Sequence, residues 1–355
     1  MSKSPASILL PERALSVGQA LSASAGLQKI NNIWFDDGNL VVIAGRKVFR
    51  LYQGLLARRS PVLRDMLSIP QPEASTAIDD ADRTVIQALN LDVKDCAVVR
   101  FTDKPQEVEW FLSGFLGDSL ITQYSANIPA LTGILRLATK YEVNFLRKWA
   151  VVRLEQLMSI TSDPDPDELI QLMRREEKDK KWMNGLFPLI DVAITVGVPW
   201  VLPGVFWRLQ AASLVNILYH PEWKEFPEGR KSQFLLCREY AQADAFSEFG
   251  LVLQLHCQGS KHTTPNGRDR CTQNVKDALY MTFSSWGTDG GGSHPIWRKF
   301  VDEFGCDRCK KRYETQRRQL VTDAFLALQK HSGLPEHAKM MEKREKYFKE
   351  VSVDE

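Results

Sequence analysis

Residues 37–67 read DGNLVVIAGRKVFRLYQGLLARRSPVLRDML and carry the clearest structural pattern in the chain. A β-branched run at 40–43 and a second apolar run at 48–51 flank a turn that contains a glycine. This arrangement predicts a β-hairpin. Two helices are predicted after it, because Ser60 can cap the second helix and Pro61 fits its first position, where a missing N–H costs nothing.

These residues resemble the BTB/POZ family of interaction domains. The leading Asp, the hairpin and the pattern Phe-x-Leu-Tyr-x-x-Leu-Leu-Ala-x-x-Ser-Pro-Val-Leu-x-Asp-Met-Leu carry the resemblance. A second match lies at 135–146, where LRLATKYEVNFL is similar to the closing helix pair of the family, Leu-x-Leu-Ala-x-x-Tyr-x-Val-x-x-Leu. Members usually carry Val-His where this chain has Leu51 and Tyr52, so a phenol replaces a histidine that is buried near the leading Asp. We therefore expect Asp37 and Tyr52 in the interior of the domain.

The fold class that follows is α+β, with a small sheet covered by helices in an N-terminal BTB/POZ-like domain and a mostly α-helical region after it. A short strand is predicted at 98–101. The helix after it begins near Pro105, with Val108, Phe111 and Phe115 on one face, and helices at 131–141 and 146–157 close the domain. We assign residues 1–30 to a flexible tail and 31–160 to the domain.

Residues 161–167 read TSDPDPD, and the prolines forbid a continuous helix there, so a linker is predicted at 161–168. A helical region is predicted at 169–338 and a charged helix end or tail at 339–355. Within this region the apolar periodicity predicts helices at 168–184, 189–195, 206–219, 233–255, 271–284 and 309–329. The phrase VGVPWVLP at 196–203 is similar to a segment in a large fungal set of BTB-containing proteins, where it precedes a cysteine-bearing tail.

Composition excludes some classes of function. The chain has 355 residues, 25% of them charged, and a formal net charge of +2, so no global field draws it to nucleic acid or to anionic lipid. We find no signal peptide and no apolar run that suits a membrane-spanning helix, so we expect an intracellular protein of the cytoplasm or nucleus that is not secreted. Its six cysteines are then reduced thiols or metal ligands.

Two cysteines, Cys306 and Cys309, have the spacing at which two thiolates can bind one metal ion. Cys257 and Cys271 could complete a structural zinc site, and His256 or His262 could replace one sulfur. The alternative is that these cysteines are small core residues, the interpretation we prefer for Cys96 and Cys237. Both interpretations remain open.

A run of basic residues follows that motif, from Lys310 to Arg318. Together with zinc it could make the chain a nucleic-acid-binding regulator that grips phosphates. The alternative is a solvated helix face, which we favour because few aromatic residues accompany the charges.

The sequence contains no nucleophile elbow, no His-Glu-x-x-His motif and no P-loop, so we predict a non-enzymatic protein. The BTB/POZ resemblance implies binding of protein partners, commonly as a homodimer and in some members as an adaptor for cullin-type ubiquitin ligases. The residues we expect to face a partner are Phe111, Phe115 and Tyr141, although each of them also suits a core position.

Overall fold

The computed structural model describes residues 27–69, 96–117, 121–158, 165–169, 180–210, 212–253 and 330–351, with part of 311–328. The described chain is mixed α+β, mostly helical with a small sheet near its N-terminal end. It divides into two compact units, Met1–Gln123 with Lys140–Val143, and Tyr124–Thr139 with Asn144–Glu355. This division does not coincide with the linker predicted at 161–168, and the domain boundaries stay a prediction.

The predicted hairpin is confirmed in the first unit. Strand β2 (Leu40–Ala44) pairs antiparallel with β3 (Lys47–Leu51) across the turn that contains Gly45. Gly45 has a φ of +54°, and a Cβ there would lie 2.6 Å from Cγ of Pro105. The turn therefore requires glycine for both its backbone conformation and its close packing.

The sheet contains four strands in the order β1-β3-β2-β4. Strand β1 (Gln28–Trp34) runs parallel to β3, and β4 (Ala97–Phe101) runs parallel to β2. The short strand predicted at 98–101 is thus confirmed, and its pairing is a finding of the structure. The prediction of a tail is wrong for residues 28–30, which belong to β1. Most of β1 is exposed and Ile33 is its buried residue, so this edge strand has little of the apolar alternation that reveals a strand in sequence.

Three predicted helices are confirmed among the described residues of the first unit: α1 (Gln53–Arg59), α2 (Pro61–Ser68) and α3 (Pro105–Ser113). The hydroxyl of Ser60 accepts a hydrogen bond from Leu63 N at 2.9 Å, which makes Ser60 the N-cap of α2. The same hydroxyl donates to the carbonyl oxygen of Tyr141 at 2.5 Å. Ser60 thus joins the start of a helix to a segment far along the chain.

The remaining helices, nearly all in the second unit, are α4 (Ile128–Lys140), α5 (Asn144–Met158), α6 (Leu186–Thr195), α7 (Leu202–Gln210), α8 (Leu214–Leu218), α9 (Pro221–Glu225), α10 (Glu228–Leu253) and α11 (His337–Val351). Short 3₁₀ turns occur at Lys180–Met183 and Pro199–Val201. Helix α7 packs closely on the end of α5, because a Cβ at Gly204 would lie 2.7 Å from the carbonyl oxygen of Met158. That approach fixes where α7 lies within the unit.

The helix predicted at 206–219 is interrupted. Helix α7 ends at Gln210, and α8 begins after Ser213, whose hydroxyl accepts a hydrogen bond from Asn216 N at 3.1 Å. Serine competes with helix continuation by capping a new helix, which explains the break. The charged segment predicted at 339–355 is helical from His337 to Val351. The sequence at 68–95 predicts an extended loop, but residues 70–95 lie outside the described residues, as does the helix predicted at 271–284.

Candidate interaction surface

The three aromatic residues expected to face a partner lie together inside the first unit. Phe111, Phe115 and Tyr141 are 0%, 6% and 7% exposed. The ring centroids of Phe111 and Tyr141 are 5.6 Å apart, those of Phe111 and Phe115 are 5.3 Å apart, and Phe101 stacks on Tyr141 at 5.1 Å. Their position accounts for them as core residues, and their burial does not support direct contact with a partner.

Tyr141 also belongs to a buried polar centre. Its hydroxyl donates a hydrogen bond to Oδ2 of Asp103 at 2.8 Å, and Lys140 Nζ donates to the same oxygen at 2.8 Å. The Asp103 side chain is almost fully buried, and a charge placed there requires such partners. Glu142 follows with a φ of +52°, in the left-handed region. This polar centre holds residues 140–142 in place, so the polar groups of Asp103, Lys140 and Tyr141 have a structural role.

Asp37 and Tyr52 were expected in the interior, and the structure corrects this. Both side chains lie at the surface, where the Tyr52 hydroxyl donates a hydrogen bond to Oδ1 of Asp37 at 2.6 Å. That hydrogen bond raises the pKa of Tyr52, because the neutral phenol is the donor. The ring packs beside Phe35, with centroids 5.2 Å apart. The tyrosine thus packs the body of its ring on the protein while its hydroxyl lies at the surface.

An exposed apolar surface lies at residues 214–219 of the second unit, a segment for which the sequence predicted no site. Four neighbouring apolar residues are exposed there by 44%, 63%, 42% and 80%: Leu214, Val215, Leu218 and Tyr219. We call these four residues the α8 ridge. Contiguous apolar patches above roughly a few hundred Å² often mark interaction sites, and these adjacent side chains are a candidate for one. The run Leu-Val-x-x-Leu-Tyr could have indicated an amphipathic segment, although not which of its faces is exposed.

The α8 ridge is held in place from both ends. Ile217 anchors the helix in the core, and His220 follows directly as the N-cap of α9. His220 Nδ1 accepts a hydrogen bond from Glu222 N at 3.3 Å, and Nε2 donates to Oδ1 of Asn184 at 3.2 Å. Burial lowers the pKa of His220. With Nδ1 as the acceptor, the proton of the neutral imidazole lies on Nε2.

The residues that support α9 form an aromatic cluster around Phe187. Its ring centroid lies 5.6 Å from that of His220, 5.4 Å from that of Trp223 and 5.6 Å from that of Phe226. Such edge and tilted contacts stabilise beyond simple burial. The α8 ridge thus projects from a rigid base, which suits a surface that binds without large rearrangement.

Glu155 of α5 forms a second buried polar centre. Trp200 Nε1 donates to Oε1 of Glu155 at 2.7 Å. Arg344 of α11 donates two hydrogen bonds to the same carboxylate, from Nε at 2.8 Å and from Nη2 at 2.9 Å. The hydrogen bond to Glu155 raises the pKa of Arg344. This bidentate pair attaches α11 to α5 and to the turn that carries Trp200.

Tyr347 of α11 lies beside this pair, 5.5 Å from Trp200 between ring centroids. The guanidinium carbon of Arg147 lies 5.0 Å from the Tyr347 ring, while Arg147 Nη2 donates to the carbonyl oxygen of Val196 at 2.9 Å. Burial raises the pKa of Tyr347 to about 12. Its hydroxyl and Arg147 Nε are buried and have no hydrogen-bond partner among the described residues.

The predicted metal ligands Cys257, Cys271, Cys306 and Cys309 lie outside the described residues, as do His256 and His262. In the part of the chain that the structure describes, no group of three or more His, Cys, Asp or Glu side chains could hold a metal ion. Cys237 is buried as predicted, and burial raises its pKa to about 12, which keeps it a thiol. Cys96 is half-buried and donates to the carbonyl oxygen of Gly38 at 3.2 Å.

One residue of the predicted basic face, Arg318, is engaged within the chain. Its Nη1 donates to Oδ2 of Asp167 at 2.8 Å, and its Nη2 lies 3.5 Å from Oδ1 of Asp165. These acids belong to the predicted linker. The carboxylates occupy the place that a phosphate would take on Arg318, so this contact does not favour phosphate binding there.

The search for membrane-spanning helices, made over the described residues, found none of sufficient length and apolar character. Comparison of the chain with protein-family models, with curated protein sequences and with solved structures finds no match.

Proposed function

We propose that this chain is a non-enzymatic protein–protein interaction protein whose residues 31–160 form a BTB/POZ-like domain. The chain self-associates or serves as an adaptor. The BTB/POZ resemblance implies an adaptor for cullin-type ubiquitin ligases. The order of elements supports the resemblance, since the described residues from β2 to α5 contain, in this order, a hairpin, a helix pair, a strand, a helix and a further helix pair.

The observation that carries the proposal is the α8 ridge. Its four apolar side chains lie within six residues, and α8 is too short to hold them outward without the buried Ile217 and the capping residues Ser213 and His220. Exposed apolar side chains free of charge suit the centre of a protein interface, and Tyr219 belongs to the aromatic types that are enriched there.

Sedimentation velocity of the purified full-length chain over a concentration series tests self-association. The variant Val215→Asp places a charge in the centre of the α8 ridge, where burial of an unpaired carboxylate opposes association. We expect it to weaken association at least tenfold. A matched control is Ile69→Asp, which changes a residue that is 61% exposed in the first unit and should leave association unchanged.

Affinity capture tests the adaptor function with the same two variants. Wild-type chain and Ile69→Asp should recover the same proteins, a cullin among them if the adaptor proposal is correct. If the wild-type chain is monomeric at every concentration and Val215→Asp loses no captured protein, the proposed function is wrong.

A further inference from the structure

Two adjacent residues, Asn184 and Gly185, hold the start of α9 at the base of the α8 ridge. Asn184 Oδ1 accepts a hydrogen bond from His220 Nε2 at 3.2 Å. Gly185 N donates to both carboxylate oxygens of Glu222, at 2.8 and 2.9 Å. Gly185 has a φ of +83°, so this turn favours glycine. We call Asn184, Gly185, His220 and Glu222 the His220 clamp.

The α8 ridge depends on the His220 clamp because its own helix is short. Helix α8 has five residues, and a helix of fewer than about 12 residues is marginal in water by itself. Its last turn runs directly into the clamp, since Tyr219 N donates to the carbonyl oxygen of Val215 and His220 N donates to that of Ile217, both at 3.1 Å. The order of the ridge therefore rests on the buried Ile217, the cap Ser213 and the clamp.

The closed clamp uses the neutral form of His220. Nδ1 accepts a hydrogen bond from Glu222 N at 3.3 Å, so it carries no proton while this bond lasts. Protonation would place an N–H on Nδ1 opposite the N–H of Glu222, and a charge on a side chain that is 7% exposed. Burial lowers the pKa of His220 accordingly. Protons therefore bind more tightly when the clamp is released than when it is closed.

The described side chains around His220 offer little charge to compensate an imidazolium. The charged residues of the neighbouring elements are Asp191 of α6, Glu222, Lys224 and Glu225 of α9, and Glu228 and Lys231 at the start of α10. Helix α6 faces the imidazole with Phe187, and Asp191 follows four residues later. Lys224 and Glu225 are exposed, and Lys231 pairs with Glu228 at 2.6 Å. Glu222 is the acid at the imidazole, and Gly185 N holds its carboxylate.

We propose that the His220 clamp makes the α8 ridge sensitive to protons, so that acidification releases the base of the ridge and weakens the self-association that the ridge mediates. This regulation rests on the self-association proposed above. The released imidazole has an ordinary pKa near 6.5. Each pH unit below that value favours the released clamp by up to about tenfold, and the apparent affinity falls with the closed fraction.

Sedimentation velocity of the full-length wild-type chain at pH 7.5 and at pH 5.5 measures the effect. We expect association to be about three- to tenfold weaker at pH 5.5. Circular dichroism should show that the chain is folded at both pH values. His220→Asn keeps a side chain that can cap α9 and removes the titrating group, so its association should change less than that of the wild-type chain.

Asn184→Asp tests the sign of the linkage without a change to the buried ring. A carboxylate in place of the amide whose oxygen lies 3.2 Å from Nε2 stabilises the imidazolium in the closed clamp and raises its pKa. The closed and released forms then differ less in proton affinity. Asn184→Asp should therefore lose less association than the wild-type chain between the two pH values. Asn184 is exposed, so the aromatic cluster stays intact.

His331→Asn is the matched control, because His331 stacks on Tyr240 outside the His220 clamp. This variant should keep the pH response of the wild-type chain. Equal wild-type association at the two pH values overturns the inference alone, as does an Asn184→Asp chain that loses as much association as the wild-type chain. A wild-type chain that is monomeric at pH 7.5 overturns the self-association itself.

Discussion

Removing one hydroxyl group from Tyr141 should destabilise the protein, whereas the same change at Tyr347 should not. The Tyr141 hydroxyl donates to the buried carboxylate of Asp103 at 2.8 Å. A hydrogen bond to a charged group contributes roughly 1.5–3 kcal/mol to stability. In Tyr141→Phe the ring keeps its contacts with Phe101 and Phe111, and Asp103 keeps Lys140 as a partner. We therefore expect the free energy of unfolding to fall by about 2 kcal/mol.

Tyr347→Phe is the matched control. The Tyr347 hydroxyl is buried without a hydrogen-bond partner among the described residues, so its removal deletes a desolvated polar group and no bond. Stability should stay the same or rise by up to about 1 kcal/mol. The ring contacts with Trp200 and Arg147 do not depend on the hydroxyl.

Urea unfolding followed by tryptophan fluorescence measures both variants, and native-state hydrogen exchange assigns the change to a unit. Protection should decrease in the first unit for Tyr141→Phe. Equal effects of the two substitutions, or a loss below about 0.5 kcal/mol at Tyr141, would refute the reasoning, because that is the size of an ordinary surface change.

Three further predictions concern packing, pH and backbone strain. Gly204→Ala should lower the free energy of unfolding by about 2 kcal/mol in urea unfolding, since its Cβ would lie 2.7 Å from Met158. Gly54→Ala in helix α1 is the control. Its Cβ meets nothing within 4 Å, so the free energy of unfolding should rise by about 0.5–1 kcal/mol. The lowered pKa of His220 means that the folded state binds fewer protons than the unfolded state. Stability is therefore complete above pH 6.5 and falls as the pH drops below that value. In His220→Asn the side chain can still cap α9, so thermal melts at several pH values should show a weaker pH dependence of stability. Glu142→Gly should raise the melting temperature by a few degrees, because glycine adopts the φ of +52° without the strain of a side chain, and an unchanged melting temperature would contradict this.

The hairpin and helices α1 to α3 could be predicted because their signals are local. A glycine in the turn, a proline at the first helical position and the hydroxyl of Ser60 each act on residues within a few positions. Strand β1 could not be predicted in the same way. It pairs with β3 at the edge of the sheet and buries little beyond Ile33, so its formation depends on a partner strand and leaves a weak pattern in its own residues.

The α8 ridge shows the same limit of prediction from sequence more clearly. Ile217 and Leu218 are adjacent and chemically similar, yet Ile217 is fully buried and Leu218 is 42% exposed. Periodicity can detect that one face of a segment is apolar, but packing of other helices decides which face is covered. Glu155 likewise looks like a surface acid in sequence. Its burial depends on Trp200 and Arg344, which lie 45 and 189 residues further along the chain.

The two bonds of the Ser60 hydroxyl have a consequence for the order of folding. The capping bond with Leu63 forms locally, whereas the second bond of the hydroxyl needs the carbonyl oxygen of Tyr141, 81 residues away. The Asp103 carboxylate also lacks these hydrogen-bond partners until the same segment folds, since Lys140 and Tyr141 supply them. Closing so long a loop costs chain entropy before the new contacts contribute any stability. During synthesis on a ribosome, the first unit would therefore reach its final stability only after residues 140–143 have emerged. The β2–β3 hairpin, which is synthesised earlier, would not be fully stabilised until then.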